Sequence, residues 1–423
     1  MIHYRIREVV TRAGEHIPVL VDESGMPLFE PMLYILTTGR ARNQAYNTLI
    51  NTLRSLSLFL NFLRYKEIDL KQRVKVGGLF DINEIQELVV FSRFSFRQIE
   101  EIANSEVSYV NKRSCIKLES IRKRSTENGT EEVVSSFAAT RIRYIRDFVT
   151  WLIRYQSSFL KSNQQVMDRL ECNLTLFNSF INARIPIADR RGILDGRQGL
   201  SKEEIEKLLK IIDPLSCENP WVNEHSRYRN YLLFLWLIHL GLRRGEVLGV
   251  KISDIDFRLG EVTIVRRADD PDDIRNNPPN AKTRARKIPL ADDLVALTGQ
   301  YVTTYRSNIS GAQSNNFLFV ANQGGLPMSM ASFSKIFRVL RASSSELPDT
   351  LFAHLFRHSW NDRFSEEMDK NGVGEAREKK LRSYLMGWSE TSDSAATYTK
   401  RHIRKKAKEA SLSLQAKIWE HKK

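Results

Sequence analysis

Cysteine is scarce in this chain: Cys115, Cys172 and Cys217 are the three in 423 residues, and no two form a C-x-x-C pair. An odd, scattered set excludes a disulfide framework and a cysteine-built zinc site, and it fits a reducing compartment. Long apolar runs are missing as well. The most apolar stretch, Tyr231 to Leu242, falls short of the ~18–20 residues that a membrane span needs. The opening Met1-Ile2-His3-Tyr4-Arg5 lacks the charged-then-apolar pattern of a signal sequence, so a cytoplasmic protein is expected. Internal repeats and extended low-complexity segments are absent. Acidic charge is in deficit, with 50 Asp and Glu against 65 Lys and Arg and a formal net charge of +15. That excess concentrates polyanions around the chain and points to a nucleic-acid partner held through salt-sensitive phosphate contacts.

What is present is an ordinary globular mixture, 42% hydrophobic and 27% charged, in a chain long enough for two or three domains. Residues 1–44 read as extended structure. Tyr4-Arg5-Ile6-Arg7-Glu8-Val9-Val10 and His16-Ile17-Pro18-Val19-Leu20-Val21 are β-rich, and Asp22-Glu23-Ser24-Gly25 reads as a turn. Packing on the next domain, contacting nucleic acid or touching a neighbouring subunit are all open to this segment. From Ala45 the period becomes helical, with Leu49, Leu53, Leu56, Leu60 and Leu63 in one stripe. Helices are predicted over 83–93 and 136–155. In the latter, Phe137, Ile142, Ile145, Phe148, Val149 and Leu152 form the inward set, while Arg141, Arg143, Arg146 and Arg154 line the remainder. Those arginines read either as a solvated face or as phosphate contacts. Residues 121–133 read as a basic loop. Periodicity breaks near Arg190-Arg191-Gly192-Ile193-Leu194-Asp195-Gly196-Arg197, and Ser201 with Glu204 forms a capping box for a new helix. The expected organisation is therefore 1–44, a helical domain over 45–183, a linker over 184–200, a domain over 201–410 and a tail over 411–423.

Five short segments in the last half of the chain carry the chemistry. An apolar helix over 228–240 runs into Gly241-Leu242-Arg243-Arg244-Gly245-Glu246, which puts Arg243 on a turn. A guanidinium suits a phosphate because its planar fork donates two hydrogen bonds and stays charged, and Glu246 is placed to orient one. Glu261 to Arg267 and Lys287 to Leu290 read as a hairpin, with Ala281-Lys282-Thr283-Arg284-Ala285-Arg286-Lys287 at its far edge. A lysine there can protonate a leaving oxygen; Lys282 is the candidate and Lys287 its rival. In His354-Leu355-Phe356-Arg357-His358, His354 and Arg357 are spaced i and i+3 on one helix face. His358 invites a metal reading, but the residue after His354 is leucine, not glutamate, and no cysteine or carboxylate completes a set. No metal and no cofactor is expected. Leu385-Met386-Gly387-Trp388 supplies an indole N–H, which only donates. Tyr398, one of 13 tyrosines, follows in Ala395-Ala396-Thr397-Tyr398; its phenol needs cationic neighbours to act as a nucleophile near neutral pH.

The order and spacing of these five segments resemble the tyrosine recombinases, or phage-type integrases. The resemblance covers residues 200–410 well and extends more weakly to 45–183. It implies a mainly α protein with a small antiparallel sheet (α+β), in which a helical core-binding domain and a catalytic domain form a clamp on duplex DNA. It implies that Arg243, Lys282, His354, Arg357, Trp388 and the nucleophile Tyr398 are catalytic, with Glu246 supporting them and Arg284 and Arg286 near the DNA. It also implies a site-specific recombinase, acting as a homotetramer on paired DNA sites with or without accessory DNA-binding factors, and associated with the nucleoid when bound. The alternatives are a type IB topoisomerase-like enzyme and an inactive DNA-binding accessory protein. Length and the extra N-terminal segment favour service to a mobile element. Six of the nine residues from Lys400 to Lys408 are Lys or Arg, and by the resemblance the tail beyond Thr399 packs on a neighbouring protomer.

Overall fold

The computed structural model describes residues 4–12, 15–96, 98, 132–159, 163–187, 199–267, 270–275, 278–279, 283–389, 395, 398, 406–407 and 410–415. The chain divides into two compact units, Met1–Asp195 and Gly196–Lys423. Lys282, the basic loop at 121–133 apart from its last two residues, linker residues 188–198 and the basic run 400–408 apart from Lys406 and Ala407 lie outside the described residues.

In the first unit, strands β1 (Arg5–Val10) and β2 (His16–Val21) pair antiparallel, Arg5 opposite Val21 and Val10 opposite His16. The Asp22 carboxylate accepts hydrogen bonds from the Ser24 and Met26 backbone N–H groups and forms the turn that follows. Its α-helices among the described residues are α1 (Phe29–Tyr34), α2 (Tyr46–Tyr65), α3 (Leu70–Lys75), α4 (Ile82–Phe91), α5 (Ser135–Ser157) and α6 (Gln164–Ala183). The hairpin is part of this unit's core. Leu20 is fully buried among Leu53, Leu56 and Phe148, and the Ser57 hydroxyl donates to the Tyr4 carbonyl at 3.3 Å. The described part of residues 1–44 thus packs on the helices of its own unit.

Two details differ from the sequence expectation. Helix α2 buries more than one stripe: Leu58, Phe59 and Phe62 are fully buried alongside Leu53 and Leu56, because hairpin and helices surround it. In α5, Phe137 is exposed and Arg141 is not. The Arg141 guanidinium donates to the Ser92 and Phe94 carbonyls at 3.2 and 2.7 Å and lies against the Phe96 and Phe137 rings. Carbonyls beyond the end of α4 need donors, and Arg141 supplies them; it is a structural residue rather than a phosphate contact. Arg143 and Arg154 are exposed, and Arg146 bridges Asp147 and Asn182.

The second unit begins with α7 (Lys202–Ile212), closed by the reciprocal bonds Glu204 N–H to Ser201 Oγ and Ser201 N–H to Glu204 Oε2. Helix α8 (Glu224–Leu240) starts four residues earlier than its apolar run because Asn223 caps it. It is buried on all sides from Leu232 to Ile238 and forms the axis of the core. Helix α9 (Arg244–Gly249) leads to an antiparallel sheet, β3 (Ile255–Asp256), β4 (Glu261–Ile264) and β5 (Arg286–Pro289), in that order. Further α-helices among the described residues are α10 (Asp292–Gln300), α11 (Met330–Ser343), α12 (Ala353–Lys370) and α13 (Glu375–Met386).

Strand β4 ends before Arg267 because the chain leaves the sheet there: Arg267 donates to Asp254, and Lys251 pairs with Asp270 and Asp272 at 2.9 Å each. Further along, Arg275 donates to the Leu248 and Met328 carbonyls at 3.0 and 2.9 Å, pairs with Asp273 and lies over the Phe317 ring. The β4–β5 connection is therefore clipped to the core at Arg275.

A buried polar network sits beside α8. His225 bonds to Asn322 at 2.5 Å and to the Tyr301 hydroxyl at 3.1 Å. Burial, aided by the charges of Arg229 and Arg306 and opposed by the Asn322 hydrogen bond, pushes its imidazole down to about 4. The unfolded chain protonates this group near pH 6.5 while the folded chain does not. Stability therefore falls as pH drops from about 6.5 to about 4, by roughly 3 kcal/mol in full. Thermal melts across that window are expected to show a smaller loss for His225→Gln than for the unsubstituted chain.

Candidate active site

Gly241 ends α8 in the left-handed conformation, with φ +59°, and a Cβ there would lie 2.8 Å from the Trp360 ring. The turn delivers Arg243 to the N-cap of α9, where its backbone N–H donates to Glu246 Oε2 at 2.9 Å. Glu246 is a buried carboxylate reached from several elements. Arg243 Nη1 lies 3.4 Å and Arg357 Nη1 3.8 Å from it. Arg286 Nη2 donates to Oε2 at 3.1 Å, and the Thr283 hydroxyl donates to Oε1 at 2.5 Å. Burial alone would raise this carboxyl; Arg286, Arg357 and the hydrogen bonds from Arg286 and Thr283 outweigh it and bring it down to about 2. Glu246 is ionised at every working pH.

Arg357, on α12, is 1% exposed. It donates to the Gly241 carbonyl at 2.8 Å and to the Met386 carbonyl at 3.2 Å, joining the end of α8 to the end of α13. Burial and the neighbouring Arg243 push its guanidinium down to about 9, still protonated at neutral pH. Its Cζ lies 5.2 Å from the Trp388 ring, and Trp388 stacks on Tyr398 at 5.6 Å and 11°. The Trp388 indole N–H is buried with no acceptor among the described residues, a donor held ready for an oxygen. Tyr398 also meets the His358 ring at 5.5 Å, and His358 meets His354 edge-on at 4.6 Å.

Arg243, Glu246, Arg357, Trp388, Tyr398 and His354 thus form one connected cluster. Lys282 is outside the described residues, but its neighbour Thr283 is tied to Glu246, and the Arg284 N–H donates to the Gly387 carbonyl at 3.0 Å. Lys287 points to the opposite face of β5 from Arg286 and pairs with Glu261 at 3.3 Å. Arg284 is exposed. Arg286 corrects the sequence expectation: it is buried, and its Nε donates to the Leu385 carbonyl at 2.6 Å, so it faces the protein interior rather than DNA. His358, read from sequence as a packing or hydrogen-bonding residue, lies against Tyr398; its place one turn after His354 is the one signal for this. Among the described residues no group of three His, Cys, Asp or Glu is arranged to hold a metal ion.

Guanidiniums, an indole donor and a buried tyrosine thus converge at one place, in a part of the chain that known proteins resemble. Residues 198–402 match the phage integrase family. Through this domain, just under half of its length, the chain is similar to the phage integrase family. Tyrosine recombinase XerD of Halalkalibacterium halodurans is 25% identical over 193 residues, covering 46% of this chain and 54% of that protein. A putative integrase/recombinase, y4rF, of Sinorhizobium fredii is 31% identical over 151 residues, covering 36% of this chain and 31% of that one. The chain spans about half the length of the XerD relatives it matches. The structure of the Tn1549 transposon integrase in complex with transposon right-end DNA has a similar fold, with a TM-score of 0.51 at 15% identity, covering 91% of this chain and all of that one.

Gly387 closes the site from below. Its φ is +65°, and a Cβ there would lie 2.8 Å from Arg286 Nη1, 2.9 Å from Thr283 Cβ and 3.0 Å from the Arg284 carbonyl. Gly387→Ala is expected to cost at least about 1–2 kcal/mol from the left-handed backbone alone. A lowered denaturant midpoint at unchanged slope checks it.

Proposed function

We propose that this chain cleaves and rejoins duplex DNA at specific sites through a 3′-phosphotyrosyl intermediate on Tyr398. The observation that carries the reading is the stack of Tyr398 on Trp388 with the Arg357 guanidinium against that same indole. In this mechanism Arg243, Arg357, His354 and the Trp388 N–H meet the non-bridging oxygens, so charge developing in the transition state finds fixed donors. The Tyr398 oxygen attacks phosphorus and gives its proton to water, and the bond to the 5′ oxygen breaks. Lys282 protonates that leaving oxygen. A 5′ hydroxyl from a partner strand then reverses the step. The phosphodiester's bond energy is retained in the protein linkage, so no ATP is consumed.

Lys282 is preferred over Lys287 because Thr283 is anchored at Glu246, whereas Lys287 is directed away and paired. The partner is double-stranded DNA, with four copies of the chain on two paired sites and accessory DNA-binding factors in some settings; the place of action is the cytoplasm, on the nucleoid. The net charge of +15 supports the DNA assignment. Length beyond a minimal two-domain recombinase supports service to a mobile element.

Covalent trapping tests the reading. Incubation with fragmented host DNA, a detergent quench and sequencing of protein-linked ends are expected to give 3′ adducts at a few discrete sites. Tyr398→Phe is expected to bind DNA and form none. Arg243→Ala is expected to slow single-turnover cleavage by about 10²–10³-fold. Adducts scattered over any sequence would indicate a topoisomerase, and tight binding without adducts an accessory protein.

A further inference from the structure

Three guanidiniums, those of Arg243, Arg286 and Arg357, surround the single carboxylate of Glu246. They do not share it equally. Arg286 holds both oxygens, at 3.1 Å to Oε2 and 3.4 Å to Oε1, and it also donates to the Thr283 hydroxyl and the Leu385 carbonyl. Arg243 and Arg357 each approach through one nitrogen at the longer distances of 3.4 and 3.8 Å. The Arg286 side chain is 1% exposed, so it touches no ligand. Three positive charges against one negative leave two unmatched, the two that belong to Arg243 and Arg357.

We infer that Arg286 is a positioning residue that occupies Glu246 and thereby leaves the charges of Arg243 and Arg357 available to a phosphate. The inference rests on the assignment of those two arginines to the scissile phosphate. Without Arg286 the Glu246 charge has Arg243 and Arg357 as its remaining cationic partners in the cluster. A buried carboxylate left short of partners draws the remaining ones in, which pairs their charge with Glu246 instead of a phosphate and turns Arg243 inward. The contribution of Arg286 is therefore conditional on a negative charge at position 246, and this separates it from a packing role.

The test is single-turnover cleavage of a synthetic duplex carrying the site recovered by trapping. It compares Arg286→Met, Glu246→Gln and the double variant. Arg286→Met is expected to lose on the order of tenfold or more in rate. Adding Glu246→Gln to it is expected to recover rate, because the carboxylate that captured the arginines is gone, and the double variant is expected to cleave within about fivefold of Glu246→Gln alone. Arg286→Met at the unsubstituted rate, or a double variant no faster than Arg286→Met, overturns the inference. Should Arg286→Met not fold, the other two decide: a double variant more than about fivefold slower than Glu246→Gln overturns it. An unsubstituted chain that forms no adduct, or Arg243→Ala cleaving normally, overturns the DNA-cleavage reading and this inference with it. Loss in Arg243→Ala without loss in Arg286→Met overturns this inference alone.

Discussion

The buried negative charge of Glu246 is the constraint on which the candidate site depends. A carboxylate removed from water must be met by cations and hydrogen-bond donors, or burial costs several kcal/mol. Here the partners come from the turn after α8, the lead-in and first residue of β5 and the second turn of α12. Arg286 carries the connection on to the Leu385 carbonyl at the end of α13. Segments more than a hundred residues apart in sequence are thereby brought to one point. Such a hub adds little net stability; it supplies a geometry that few other arrangements of the same chain satisfy.

Aromatic contacts extend that geometry to the tyrosine. Arg357 lies against Trp388, Trp388 against Tyr398, and Tyr398 against His358. An indole serves here as both a flat support and a donor that does not titrate. The small residue Gly387 lets this layer approach the β5 lead-in closely.

Much of this was legible in the sequence, and the rest was hidden for identifiable reasons. The Ser201–Glu204 capping box, the turn at Gly241 and the five motifs are local signals, and the structure brings the motif residues it describes to one cluster. Arg286 was indistinguishable from Arg284 and Lys287 because inward and outward positions on a strand are separated only once its register is known. Strand β5 pairs Arg286 with Ile264, and burial alternates from there. Arg141 misled for a related reason: an arginine that satisfies backbone carbonyls has no periodic signature, since its partners at 92 and 94 lie about fifty residues away. Helix α2 showed a leucine stripe, yet a central helix buries polar faces too, and Ser55 and Asn61 do so by bonding the carbonyl four residues back. The hairpin's place in the core depended on a tertiary contact, which no local pattern encodes.

The clip at Arg275 separates two anchorages of one connection. It fastens the β4–β5 connection to carbonyls of α9 and of the segment before α11, while Thr283 is fastened independently at Glu246. The placement of Thr283 at Glu246 is therefore independent of how the stretch ahead of the clip is built.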